Sequence, residues 1–157
     1  VHIPLAYYAA YYSIRAKAFD AQYMIFGKEK VKNKMKEIEM KNQKKEATKA
    51  ELDMYDDLEI VLEMYERGFE FLPVDIYESE ASKFKIQDNK LRPPLNSIPG
   101  FGTVAAQGIV NARKDGKFMS IDDLKIRAKI GASGAELLKQ FGCLEGMSQS
   151  NQLSLFG

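Results

Sequence analysis

A mainly α-helical chain with a small antiparallel β insert is what this sequence predicts, on three observations. Apolar residues recur at helical spacing before residue 68 and again after residue 102. From Phe69 to Arg92 the pattern changes to alternation. Capping residues and glycines punctuate the helical stretches where helices would start and stop. A chain of 157 residues, 45% hydrophobic and 29% charged, holds one domain or two small ones sharing a surface.

Taken in order, Pro4 to Lys17 reads as a helix, with Pro4 acceptable in its first turn. Tyr7/Tyr11 and Tyr8/Tyr12 form two i,i+4 pairs on it. We read this aromatic face as helix-packing surface, with base stacking as the alternative. Asp20 caps a short turn through Phe26, and Gly27 interrupts it. The next stretch is basic: Lys28, Lys30, Lys32, Lys34, Lys36, Lys41, Lys44 and Lys45 face only Glu29, Glu37 and Glu39, over an apolar stripe of Val31, Met35 and Ile38. Thr48 and Glu51 then form a capping box for an acidic helix carrying Leu52, Tyr55, Leu58, Leu62 and Tyr65, which ends at Gly68. A basic helix beside an acidic one predicts an antiparallel pair with complementary outer faces. The alternative is a lysine-rich face laid against nucleic-acid backbone.

The alternating region predicts short strands at Phe69–Phe71, Val74–Tyr77, Phe84–Ile86 and Lys90–Arg92, with Asp88-Asn89 as the turn before the last. Pro93-Pro94 marks a boundary. Asp115-Gly116 stops the helix that starts near Thr103. Ser120 with Asp123, and Ser133 with Glu136, offer capping boxes for two more helices, the second ending at Gly142.

The chemistry concentrates at Ile98-Pro99-Gly100-Phe101-Gly102 and the helix after it. Glycines let the backbone approach another molecule closely. The first turn of the following helix leaves amides without intrahelical partners, backed by the positive end of the helix dipole. Together they make a place for a phosphate, and a turn that grips phosphate binds nucleic acid without reading its bases. The spacing apolar-x-Gly-apolar-Gly-x3-Ala, filled by Ile98, Gly100, Phe101, Gly102 and Ala106, resembles a helix-hairpin-helix DNA-binding motif. It is not a dinucleotide fingerprint: no valine-rich strand precedes it and no βαβ pattern surrounds it. The candidate DNA contacts are Ile98, Gly100, Phe101, Gly102, Thr103, Val104, Arg113 and Lys114. Lys129 to Gly134 looks like a second, degenerate hairpin that lacks the Gly-apolar-Gly core, expected to complete the core and to bind phosphate weakly or not at all. From Lys90 to Lys139 bases outnumber acids, the electrostatic footprint of backbone recognition.

Other chemistries lack materials. The net charge of +1 decides nothing. Cys143 is the single cysteine, excludes an internal disulfide, reads as core filler and fits a reducing, cytoplasmic setting. With His2 the single histidine, neither a zinc cluster nor a Ser-His-Asp site can be assembled, and no catalytic or metal-ligating residue is assigned. No apolar run reaches membrane length. The chain opens on Val1 and is at once helical in pattern, so a fragment of a longer protein is expected.

Beyond Gly146 the chain turns polar through Met147–Asn151, a flexible spacer in this reading, and then becomes Gln152-Leu153-Ser154-Leu155-Phe156-Gly157. Large apolar residues on a polar terminus suit docking into a partner's pocket. This peptide resembles the one by which bacterial replication proteins bind the sliding clamp. With Pro4–Tyr12, Arg67–Tyr77 and Asn96 through Phe118, in this order, essentially the whole chain resembles the C-terminal end of PolC-type replicative DNA polymerase III α subunits. The resemblance implies a fingers-like helical lobe over residues 1–93, a helix-hairpin-helix duplex-binding module over 94–146, and a clamp-binding tail over 147–157. It implies that Gly100, Phe101 and Gly102 grip duplex DNA, and that Gln152, Leu153, Ser154, Leu155 and Phe156 bind the clamp. The parent would be a nucleotidyltransferase using magnesium on palm carboxylates that this chain lacks, and no cofactor is expected within the chain itself. Lys28–Lys45 is richer in lysine than the family's usual pattern, and Gly157 follows where the family commonly ends at Phe.

Two other readings stay open. Ile98–Gly102 with Phe118, Ser120 and Asp123-Leu124 also resembles competence DNA-uptake proteins, which use the hairpin as a receptor. A purely protein-interacting helical domain with an incidental hairpin is the third.

Overall fold

Helix ends follow the local signals closely. In a computed structural model, which describes residues 4–15 and 18–150, α1 runs Leu5–Ile14, α2 Ala21–Met24, α3 Lys28–Gln43 and α4 Lys49–Glu66. Strands β1 Lys85–Gln87 and β2 Lys90–Arg92 follow, then α5 Thr103–Ala112, α6 Ile121–Ala128 and α7 Ala132–Gln140. Pro4 is the N-cap of α1 rather than a member of its first turn. Asp20 caps α2 by accepting the Gln22 amide, and Thr48 with Glu51 closes a reciprocal capping box at α4. Among the described residues no helix is long and apolar enough to cross a membrane.

The chain divides into two compact units, residues 1–73 with 84–93, and 74–83 with 94–157. The expected division at residue 93 assigned 74–83 to the first part; here that segment belongs to the second unit, because its carbonyls at Glu80 and Ala81 accept the amides of Leu95 and Asn96.

In the first unit, Tyr8 and Tyr12 are buried at 0% and 1% exposure, so this pair on α1 is packing surface, whereas Tyr7 of the other pair is 49% exposed and Tyr11 half-buried. The Tyr8 hydroxyl donates to Glu63 at 2.8 Å, and the Tyr12 ring joins Phe19, Phe71 and Phe84 with centroids 5.2 to 5.8 Å away. Burying such rings adds to this unit's apolar stabilisation. Helices α3 and α4 pack through Val31 and Ile38 against a face of α4 that buries Leu58, Val61 and Met64. That face is rotated from the expected stripe: Leu52 is exposed, and Asp57 sits buried against Arg15, 2.8 Å away. Strands β1 and β2 pair antiparallel in the register Lys85↔Arg92, Ile86↔Leu91, Gln87↔Lys90. Asp88 and Asn89 take φ of 53° and 59°, the left-handed pair that a two-residue type I′ hairpin requires.

The expected strands at Phe69–Phe71 and Val74–Tyr77 do not form. Phe71 makes one isolated bridge to Leu91. At Val74–Tyr77 the Asp75 carboxylate accepts the Tyr77 and Glu78 amides at 2.7 and 3.0 Å, folding the backbone into a turn where a strand would need a ladder partner.

Candidate nucleic-acid interface

The hairpin of the second unit is built from the backbone outward. A short 3-10 turn over Leu95–Ser97 leads into Ile98, whose carbonyl accepts the Phe101 amide at 3.0 Å. Pro99 and Gly100 occupy the centre of that β-turn. Gly100 has φ +82°, the value a type II turn demands at its second central position and one that a side chain resists. A Cβ there would also meet Leu137 at 3.4 Å.

Ile98 and Phe101 are 1% and 4% exposed. Their side chains are therefore anchors of the hairpin, and any contact with a ligand at these positions falls to the backbone. The Phe101 ring packs where α7 carries Gly134, whose added Cβ would lie 3.4 Å from it.

Gly102 is the N-cap of α5 with φ −74° and ψ 162°, and it brings no side chain to the first-turn amides. The first helical bond is Ala106 N–H to the Gly102 carbonyl. Gly102, Thr103 and Val104 are all exposed, Val104 at 90%, so solvent reaches the amide end of α5. Asn96 Nδ2 donates to the Thr103 hydroxyl at 3.2 Å, tying the helix start to the turn before it. No carboxylate lies on α5. The arrangement is an open, uncapped helix terminus held on a rigid turn, suited to an anion.

The arginines behave differently from expectation. Arg113 turns inward: its Nη1 donates to the carbonyls of Ile76 at 3.1 Å and Ser79 at 2.5 Å, so it fastens 74–83 rather than facing solvent. Arg127 likewise donates to the carbonyls of Ala112, Gly116 and Lys117 and to Asp123. Its guanidinium also lies 4.6 Å from the Phe118 ring centroid. Lys114, Lys129 and Lys139 are the exposed bases of this unit's helix ends. Both arginines carry the right charge for phosphate but are spent on orphan carbonyls, a fate no local pattern announces.

A structural feature that the motif did not announce is Gly108. An added Cβ would collide with the Ala128 carbonyl oxygen, so α5 and α6 cross with backbones nearly touching. Sequence reading treats a lone mid-helix glycine as a mild defect; here it sets the helix crossing that supports both hairpins.

The second hairpin differs from the expected degenerate copy. Lys129 supplies the left-handed residue with φ 58°, and Gly131 caps α7 with φ −82° and ψ 176°. Helix α7 thus begins at Ala132, so Ser133 lies inside it and makes no capping box. At α6, Ser120 does accept the Asp123 amide at 3.0 Å, but the Asp123 carboxylate reaches back to Met119 rather than to Ser120. The polar spacer is pinned in part: the carbonyls of Ser148 and Gln149 accept the amides of Ile121 and Asp122. Cys143 is half-buried rather than in the core; it donates to the Val74 carbonyl, and burial pushes its thiol up to about 12. Gln152, Leu153, Ser154, Leu155 and Phe156 lie outside the described residues.

Comparison with known proteins gives the same emphasis. A family model described as "Helix-hairpin-helix motif" matches residues 68–153. The chain is 46% identical over 157 residues to a protein named DNA polymerase III PolC-type from Clostridium perfringens, covering 100% of the chain and 11% of that relative. The same name attaches to relatives from Caldanaerobacter subterraneus, 46% identical over 156 residues, and Streptococcus pneumoniae, 44% identical over 156 residues. Each of these matches covers 99% of the chain and 11% of the relative.

Proposed function

Because the chain belongs to the helix-hairpin-helix motif family, we propose that its second unit holds duplex DNA by the sugar-phosphate backbone, without reading sequence. The observation that carries this is the exposed amide end of α5, capped only by Gly102 and set on the Pro99-Gly100 turn. Thr103 and Val104 place their amides at the phosphate, Gly100 and Gly102 allow the approach, and Lys114 adds charge at the opposite end of α5, about 15 Å along the helix. Arg113 contributes by holding the scaffold.

We further read the chain as part of a PolC-type DNA polymerase, in line with the names of its relatives. In this reading it adds grip on primer-template and, through Gln152–Phe156, attachment to the sliding clamp in the cytoplasm. Tethering raises the local concentration of polymerase at the primer without strengthening any catalytic contact. In this reading the magnesium of phosphoryl transfer would be held on carboxylates elsewhere in the polymerase.

Fluorescence anisotropy with labelled duplexes tests the first part. Gly102→Asp puts a carboxylate over the first-turn amides, which caps the helix and repels phosphate. It should leave stability unchanged or raised by a few tenths of a kcal/mol and weaken duplex binding about tenfold or more, equally across unrelated sequences. Unchanged affinity, or loss confined to one sequence, refutes backbone recognition here. For the tail, Leu155→Ala with Phe156→Ala should abolish capture by a bacterial sliding clamp in pull-down, and undiminished capture rejects that assignment.

A further inference from the structure

The lysine run of α3 is not used by the hairpin, and most of it is not used by α4 either. Lys34 is 8% exposed, pairs with Glu37 at 3.1 Å and lies over the Tyr23 ring. Lys41 is paired with Glu51 at 2.8 Å and Glu37 at 3.5 Å, and Lys30 lies over the Phe26 ring. The ties between the two helices run through Lys41–Glu51 and the Tyr55 hydroxyl on Glu39. The complementary outer faces expected from the sequence therefore meet at one end only, because apolar packing sets the helix rotation and turns the remaining charges away from each other.

Lys28, Lys32 and Lys36 are what remains. Four-residue spacing puts them in one line along α3, rising about 6 Å from each to the next. Lys28 and Lys36 are exposed, and among the described residues no carboxylate stands within 4.0 Å of either. Lys32 has only Glu29, 3.8 Å away and itself 80% exposed. Packing does not need these charges, since Val31 and Ile38 bury the other face. Nor does the helix, since Lys28 stands in the first turn, where the dipole disfavours a cation. The exposed residues over 28–36 are Lys28, Glu29, Lys30, Asn33 and Lys36, and exposed Phe26 and Met40 flank the line at its two ends.

We propose that Lys28, Lys32 and Lys36 form a second nucleic-acid contact, on the first unit, that meets the phosphates of a duplex. A line of three lysines is poor material for a protein interface, where lysine is depleted and buried aromatic anchors dominate, and the flanking Phe26 ring already lies under Lys30. It suits a polymer of repeated anionic charge, each lysine displacing a condensed counterion. The choice of duplex DNA as the polymer rests on the function proposed above; the geometry of the line does not.

The full chain is titrated onto a labelled duplex between 50 and 200 mM salt. The triple variant K28Q/K32Q/K36Q keeps good helix formers at exposed positions. Its slope of log affinity against log salt should fall by about 2 to 3, at about 0.9 per phosphate contact. K44Q/K45Q/K49Q removes the same charge past the C-terminal end of α3, with Lys44 about 12 Å from Lys36 along the axis, a little beyond the Debye length of about 8–10 Å, and should change the slope by less than about 1. The arginine triple K28R/K32R/K36R should keep the wild-type slope, which shows that charge rather than a lost fold is being read. An unchanged slope in the first triple, or equal losses in the glutamine triples, overturns the proposal. If G102D leaves affinity intact while the first triple lowers the slope, the hairpin reading fails and this one stands.

Discussion

The two hairpins of the second unit reach one backbone outcome by different means. In the first, Gly100 takes the positive φ and Gly102 caps α5; in the second, Lys129 takes it and Gly131 caps α7. Each buries one apolar residue just before its cap, Phe101 at 4% and Ile130 at 7% exposure. Each also leaves its capping glycine exposed. The difference lies in what the turn costs. A glycine at φ +82° is unstrained, whereas a lysine at φ 58° carries the penalty of a left-handed L-residue. The lesson is that a motif defined by glycine spacing marks the cheap version of a geometry, and the same geometry survives where that spacing is lost.

The largest effect should come from the crossing that supports both hairpins. Gly108→Ala forces α5 and α6 apart at the Ala128 carbonyl and should destabilise the second unit by about 1–3 kcal/mol, measured by thermal unfolding. A variant as stable as wild type would mean that the crossing relaxes freely and the hairpins are not coupled through it.

Next, the two turns should respond in opposite directions. Gly100→Val places a β-branched residue at positive φ and should cost about 1–2 kcal/mol. Lys129→Gly relieves the same kind of strain and should be neutral or stabilising by up to about 1 kcal/mol. Equal losses at both positions in denaturant unfolding would erase the distinction drawn here.

The smallest effect separates the helices by their acids. No carboxylate stands on α5, but Asp123 on α6 is held below the usual carboxylate range, first by the Met119 amide and then by Arg127. Its folded pKa lies under the unfolded 3.8, so its contribution is complete above that value and fades as pH falls through the folded one. Asp123→Asn should flatten the acid limb of the stability profile slightly, and an unchanged acid limb would show that the carboxylate contributes nothing.

What could be read in advance was whatever a few neighbouring residues decide. The Thr48–Glu51 box and the Asp20 cap formed as expected because side chain and target amide lie within four positions of each other, and the Asp88-Asn89 turn because Asp and Asn tolerate the left-handed backbone it needs. Val74–Tyr77 was misread because alternation describes a strand's faces but not whether another strand will pair with it; Asp75 took those amides first. Ser133 looked like a cap, yet Gly131 had already started the helix. At the interface, the open α5 terminus was visible in the glycine spacing, whereas the inward turn of Arg113 depended on carbonyls 34 and 37 positions away.

Taken alone, the sequence determined the helix-hairpin-helix motif, the helical composition, the order of the helices and the identity of the exposed terminus, since each rests on short-range hydrogen bonding and backbone torsion. Only the tertiary structure decided which charges remain available. Arg113 and Arg127 are consumed by distant carbonyls, while Lys28, Lys32 and Lys36 are left in line because apolar packing of α3 on α4 turns them outward. A charge on a sequence is a resource; its partner is chosen by which backbone groups folding leaves unsatisfied, and that choice is made across the chain rather than along it.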